Sequence, residues 1–244
     1  MQSLRAASTV FGLAIFFVSL YGFARQQQKE DGFITYKADL KKDNLQFYWK
    51  DDKGKPFRSI QNLRDWLVKQ KLTLVFATNG GMYKTDNSPL GLYIQNSVTL
   101  SALNRFNGNG NFYLKPNGVF YITTNNQPFI CPTSKFKNNG SVKYATQSGP
   151  MLLVDGQVHP SFKKGSQNLN IRNGVGILPD NRVVFVMSKK QVNLYDFADY
   201  FKKMGCKNAL YLDGFVSRTY LPEQQWVQAD GDFGVMIGVV RKVD

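Results

Sequence analysis

The sequence predicts an α+β protein: a largely antiparallel, twisted β-sheet core with two main helices, in a single domain. Three observations carry this. Strand-like runs bounded by Gly, Asn and Pro turn signals far outnumber helical stretches. Aromatic residues make up 14% of the chain, with 19 Phe and 12 Tyr, a bias toward pleated, half-buried surfaces. Apolar residues at helical spacing occur in two segments. At 244 residues the chain can bury a proper core, and no repeat or linker divides it.

From the N-terminus, Arg5, the apolar run Val10 to Leu20 and the small residues of Gly22-Phe23-Ala24 read as a secretory signal peptide over residues 1–24, with residues 25–244 as the mature domain. A retained N-terminal anchor is the other reading, because the run extended through Phe23 is borderline in length for a bilayer. After a polar leader, Phe33 to Lys37 and Leu45 to Trp49 alternate like strands, and Asp51 to Pro56 is a charged turn. Ile60, Leu63 and Leu67 predict a helix from about Ser59 to Lys69. Leu72 to Ala77 is a continuous apolar strand that stops at Asn79-Gly80-Gly81.

Short strands are expected at Leu90–Ile94, Phe112–Leu114, Val119–Thr123 and Tyr144–Thr146, broken at Asn107–Asn111 and Pro116–Gly118. Met151–Val154 and Gln157–His159 flank Asp155-Gly156, a tight hairpin signal. Val175–Leu178 and Val183–Met187 flank a second turn. Asn193 caps a helix over Leu194–Met204 that closes before Gly205. A strand then runs into Asp213, and Val235–Val240 closes the sheet.

Composition bounds the function. The formal net charge is +14, with lysines and arginines scattered along the chain. Such a surface attracts anionic material: phosphate-bearing glycans, cell-wall polymers or lipid headgroups. No nucleic-acid motif accompanies it. Export makes a disulfide chemically accessible, and Cys131 and Cys206 either pair or remain free thiols. The single histidine, His159, leaves Ser148 and Ser217 with one base to share and argues against triad chemistry.

The motif order, taken together, resembles the phosphodiester glycosidase family. The matching pieces are Asn79-Gly80-Gly81-Met82-Tyr83, Gly91-Leu92, Ser148-Gly149-Pro150 with Asp155-Gly156, and Arg172-Asn173-Gly174-Val175-Gly176-Ile177. The helix Asn193 to Phe201 and the stretch Asn208 to Ser217 complete the set. Ser88 to Tyr93 resembles a segment of the family's exported bacterial branch. Many relatives carry two or three glycines and a serine after the aspartate. Here the segment is Gly214-Phe215-Val216-Ser217, and the two bulky residues restrict close backbone approach to a phosphate.

The resemblance implies a glycoside hydrolase that cleaves the sugar C–O bond of a sugar-1-phosphodiester. An alkoxide leaving group needs a second carboxyl to protonate it; a phosphate does not, so one carboxylate and a well-placed arginine could suffice. Asp213, at the end of an apolar strand, is the expected base, nucleophile or charge stabiliser. Arg172 is expected to hold the phosphate bidentately, and Asn79 to hydrogen-bond sugar or phosphate. Ser217, Gly80, Gly81, Asp86, Gly214 and Ser148 are the expected substrate-binding residues. Tyr93, Tyr113 or Trp226 could offer a sugar-stacking ring. No particular cofactor is implied, and a divalent metal near Asp213 is left open. The expected partner is an anionic phosphate-bearing glycan or glycolipid of the envelope or surroundings, met in the periplasm or outside the cell, and the oligomeric state is open. A non-catalytic carbohydrate- or envelope-binding protein, or an exopolysaccharide-assembly factor on the same fold, is the competing reading.

Overall fold

The computed structural model describes residues 32–213 and 216–243. The signal-peptide or anchor segment, Gly214 and Phe215 lie outside the described residues. Strands β1 (Phe33–Ala38) and β2 (Asn44–Tyr48) lead into helix α1 (Ile60–Lys69), then β3 (Leu72–Asn79), β4 (Tyr93–Gln95) and β5 (Val98–Ser101). Next come β6 (Gly118–Thr123), β7 (Pro128–Pro132), β8 (Val142–Ser148), β9 (Met151–Val154) and β10 (Gln157–Val158). The chain continues through β11 (Asn173–Ile177), β12 (Val183–Ser188), helix α2 (Leu194–Lys203) and β13 (Ala209–Asp213). β14 (Thr219–Leu221), β15 (Trp226–Val227) and β16 (Met236–Lys242) complete it.

The strands form three sheets rather than one. Their orders are β1-β12-β11-β13-β9-β10, β15-β14-β3-β16-β2 and β5-β4-β8-β6-β7. The ladders among β2 to β16 are antiparallel. Aromatic contacts join the sheets at the core. The Phe185 ring of β12 lies 5.1 Å from Phe76 of β3 and 6.1 Å from Phe120 of β6. Phe120 in turn meets Phe47 of β2 at 5.7 Å. Such pairs add directional packing to the burial of large apolar surfaces.

Both helices start where side chains cap them. Ser59 Oγ accepts the Asn62 N–H at 3.1 Å, and Asn193 Oδ1 accepts the Asp196 N–H at 2.8 Å. Each cap satisfies a donor that the first helical turn cannot. α1 buries Ile60, Leu63 and Leu67 against Leu74, Ala77, Met236 and Val240 on the outer face of β3 and β16. α2 buries Phe197, Ala198 and Phe201 and lies close over β11. A Cβ at Gly176 would stand 2.8 Å from both Phe201 Cδ1 and Cys206 Sγ, so the glycine is what lets the helix approach the strand. In the β9–β10 turn Asp155 and Gly156 both take positive φ, 50° and 80°, the twist that suits a two-residue hairpin.

Phe112–Leu114, expected as a strand, is instead a short 3-10 turn over Asn111–Tyr113. β5, β7, β14 and β15 are additions. Cys131 and Cys206 are free thiols, and burial pushes the Cys206 thiol up to about 12.

Burial also raises a group of tyrosines. Tyr36, Tyr83, Tyr144 and Tyr211 are each pushed up to about 12, mainly by desolvation, and Tyr93, fully buried, rises further. The folded state thus favours the protonated phenol more than the unfolded chain does. The stability this represents is present below about pH 10, the unfolded value. It is lost as pH climbs through 12. Urea midpoints should therefore hold between pH 8 and 9 and fall steeply above about pH 10, with the tyrosinate absorbance of these five rings, assigned by single Tyr→Phe differences, appearing only as the chain unfolds. Tyrosinate growing at its ordinary pH on any of the five in folded protein would contradict this.

Candidate active site

Strand ends from all three sheets meet at one place. β3 delivers Asn79, β8 delivers Ser148, β13 delivers Asp213, and β11 begins there with Asn173, whose register partner is Asp213. The hub is Asn173. Its Oδ1 accepts the Asp213 N–H at 2.9 Å. Its Nδ2 donates to Thr78 Oγ1 (2.9 Å), the Asn79 carbonyl (2.9 Å) and Asn79 Oδ1 (3.0 Å). Asn79 Oδ1 also accepts the Arg218 N–H at 3.0 Å, which leaves its Nδ2 to make a long contact, 3.4 Å, with Asp213 Oδ2. Ser217 Oγ donates to the Asp213 carbonyl at 2.9 Å, and Ser148 Oγ donates to the Leu212 carbonyl at 2.8 Å. These bonds fix the backbone on both sides of the carboxylate.

Asp213 itself is 7% exposed and looks into a cleft of about 390 Å3. The cleft is lined by Met82, Tyr83, Leu90, Phe112, Tyr113 and Val216, by the exposed Lys84 and Thr85, and by Asn109 to Asn111. Asp213 is the one carboxylate among the described residues lining it. Its charge is felt by its neighbours: after burial, Asp213 is the leading cause that raises the Tyr83 phenol, and it also raises Tyr211. The cleft therefore offers a shielded carboxylate, aromatic walls suited to a sugar ring, and an exposed ammonium.

The structure brings together Asp213, Asn79, Ser217 and Ser148. Gly80 and Gly81 are buried and do not line the cleft; a Cβ there would stand 2.8 Å from Ile237 Cγ1 and 2.6 Å from Thr146 Oγ1 respectively. Their contribution is close packing that sets Asn79 against the start of β16. Asp86 is exposed; its Oδ1 accepts from the Ser88 N–H (3.0 Å) and hydroxyl (2.6 Å), bonds that hold its carboxyl below the usual range. It caps the turn that carries Lys84 and Thr85. Arg172 stands apart. It is fully buried, and its guanidinium donates to the Val192 carbonyl (2.7 Å), the Asn168 carbonyl (2.8 Å) and Tyr211 Oη (2.9 Å). Tyr211 links it to the neighbourhood of Asp213, but Arg172 does not line the cleft.

Of the rings named as sugar platforms, Tyr113 lines the cleft, Tyr93 is in the core, and Trp226 packs half-buried against that core. His159 is buried and stacks on Phe162 at 4.7 Å, while Ser148 and Ser217 donate to carbonyls elsewhere. Asn173, Tyr83 and Lys84 are not among the expected site residues, although Asn173 and Tyr83 stand within the matching motif pieces. Asn173 carried a signal in its place at the head of a strand next to a charged residue. Among the described residues no group of three or more His, Cys, Asp or Glu is placed to hold a metal ion.

Comparison with known proteins agrees with this fold. Residues 73–240 match the family model described as phosphodiester glycosidase. The chain is 35% identical over 209 residues, 85% of its length and 82% of the relative's, to the uncharacterized protein YigE of Escherichia coli (strain K12). Its fold is similar to the catalytic domain of zebrafish N-acetylglucosamine-1-phosphodiester alpha-N-acetylglucosaminidase, a structure auto-inhibited by its pro-peptide. There the TM-score is 0.51 at 15% identity, over 85% of this chain and 88% of that one. A hypothetical protein from Synechocystis gives 0.52 at 14% identity, over 85% of this chain and 59% of the other. At these identities the structures speak to fold, whereas the family match spans most of the chain. The chain belongs to the phosphodiester glycosidase family.

Proposed function

We propose that the protein is a glycoside hydrolase that acts, once exported, on sugar-1-phosphodiesters of envelope or environmental glycans and glycolipids. The observation that carries this is Asp213, a shielded carboxylate held by strand-end hydrogen bonds at the foot of a sugar-sized, aromatic-walled cleft. Water adds to the anomeric carbon and gives up a proton to the Asp213 carboxylate; the sugar C–O bond breaks, and its electron pair leaves on the phosphate oxygen as a phosphomonoester. Positive charge grows at the anomeric carbon, and Asp213 is placed to offset it. The leaving phosphate needs no proton, which suits a cleft with one carboxylate. The exposed Lys84 is a cation for that phosphate. Arg172 acts from behind, holding Tyr211 and the Asn168 and Val192 backbones.

The test is release of free sugar from a panel of sugar-1-phosphodiesters by the mature protein, with and without chelator. Turnover supports the reading, and chelator sensitivity would add a divalent ion. One observation favours a binder instead: a bulky residue, Val216, lines the cleft just after Asp213, where it restricts close backbone approach to a phosphate. Sugar phosphodiesters that bind folded protein and are never hydrolysed would establish that alternative.

A further inference from the structure

The loop between Arg105 and Asn117 walls two cavities, not one. Its tip, Asn109 to Tyr113, forms one side of the Asp213 cleft. Its two arms, Arg105 and Lys115 to Asn117, line a second cavity of about 410 Å3, closed by Pro132, Thr133 and Ser134 of β7 and the turn beyond it. The loop is firmly rooted. Gln147 Oε1 accepts the Asn104 N–H at 2.9 Å and its Nε2 donates to the Asn104 carbonyl at 2.6 Å. At the other end Asn117 Nδ2 donates to the Phe112 carbonyl at 2.9 Å.

The chemistry of the second cavity is one-signed. Arg105 and Lys115 are its charged residues, beside the Thr133 and Ser134 hydroxyls and the Asn117 amide, and none of the described residues lining it is acidic. The two cations line the same cavity. Lys115 Nζ reaches the Arg105 carbonyl at 3.4 Å and Asn107 Oδ1 at 2.5 Å, and Arg105 Nη1 donates to the Thr133 carbonyl at 3.3 Å. All these acceptors are neutral, and among the described residues neither cation is paired with a carboxylate. Like charges around a shared hollow repel, and an anion seated between them turns that repulsion into charge-assisted hydrogen bonding.

We propose that this cavity is a second anion subsite, which takes a phosphate on the same ligand whose sugar enters the Asp213 cleft. The preferred ligand is then a chain carrying more than one phosphate, such as a phosphodiester-linked polymer. The inference rests on the cleft being a ligand site, and it holds whether or not that ligand is hydrolysed.

Binding of two probes, measured calorimetrically in an Asp213→Asn background, tests it without turnover. One probe is a sugar joined through phosphate to glycerol; the other carries a second glycerol phosphate. Arg105→Gln with Lys115→Gln should weaken the two-phosphate probe by roughly tenfold or more while the one-phosphate probe stays within about twofold. Arg105→Lys alone should keep most of the affinity. The gap should narrow as salt is raised. Equal weakening of both probes, or of neither, overturns the subsite, as does failure of the two-phosphate probe to bind more tightly than the other. A sugar-free glycerol phosphate dimer that binds as tightly as the sugar-bearing one overturns the shared ligand. Thermal midpoints of the single variants separate loss of charge from loss of the loop. If wild type hydrolyses neither probe nor any member of the sugar-1-phosphodiester panel while the charge-dependent difference persists, the hydrolase reading falls and the subsite stands.

Discussion

Asp213→Asn should reduce release of free sugar from any accepted sugar-1-phosphodiester by about 10^3-fold or more in kcat. The fold should survive. The backbone N–H of residue 213 still meets Asn173 Oδ1, and its carbonyl still accepts from Ser217, so the strand end keeps its position. What changes is the charge at the foot of the cleft. A carboxamide of the same shape cannot offset the positive charge that grows at the anomeric carbon, and it cannot accept a proton from the attacking water. Because the loss falls in the transition state, kcat drops and KM stays near its wild-type value. Thermal unfolding of both proteins provides the control. Retention of more than a tenth of wild-type activity would remove Asp213 from the chemistry and move attention to Tyr83, whose phenol feels the same charge.

Much of the architecture was legible because its signals are local. Asn193 stands where a cap belongs, three residues before an amide it accepts, and the apolar stripes of both helices have one period. Asp155-Gly156 could hardly be anything but a tight turn. The missed strands lacked such signals. β7 begins and ends on proline at a sheet edge, where a missing N–H is tolerated. β5 is exposed at three of its four positions, with no alternation to reveal it. Phe112–Leu114 shows the opposite failure: a short apolar run with no period of its own, whose preceding Gly110 at φ 88° turns the chain into a 3-10 turn.

The site was half legible for a related reason. Strand-end Asp213 and Asn79 could be read directly, but the choice between Arg172 and Asn173 could not. Neighbours at a strand end point to opposite faces. Only the register that pairs Asn173 with Asp213 decides which of them joins the carboxylate. The charged residue drew the reading, and the amide makes the network.

Arg172→Met should therefore act chiefly on stability. Methionine can fill much of the space of the arginine stem, but it donates nothing. The Val192 and Asn168 carbonyls and the Tyr211 hydroxyl, all bonded to the guanidinium now, would lose a buried donor. A cost of about 3–5 kcal/mol is expected from several orphaned polar groups at once, seen as a lower urea midpoint with an unchanged slope. Arg172→Lys should recover little, because one ammonium cannot reach three acceptors that a planar fork meets in different directions. Tyr211→Phe, which removes one bond, should cost about 1 kcal/mol. A phosphate clamp predicts the reverse pattern: native stability for Arg172→Met with a large rise in KM, and partial rescue by lysine. Because the guanidinium is enclosed and the cleft is walled by other residues, activity that survives in the folded fraction of Arg172→Met is the expected result.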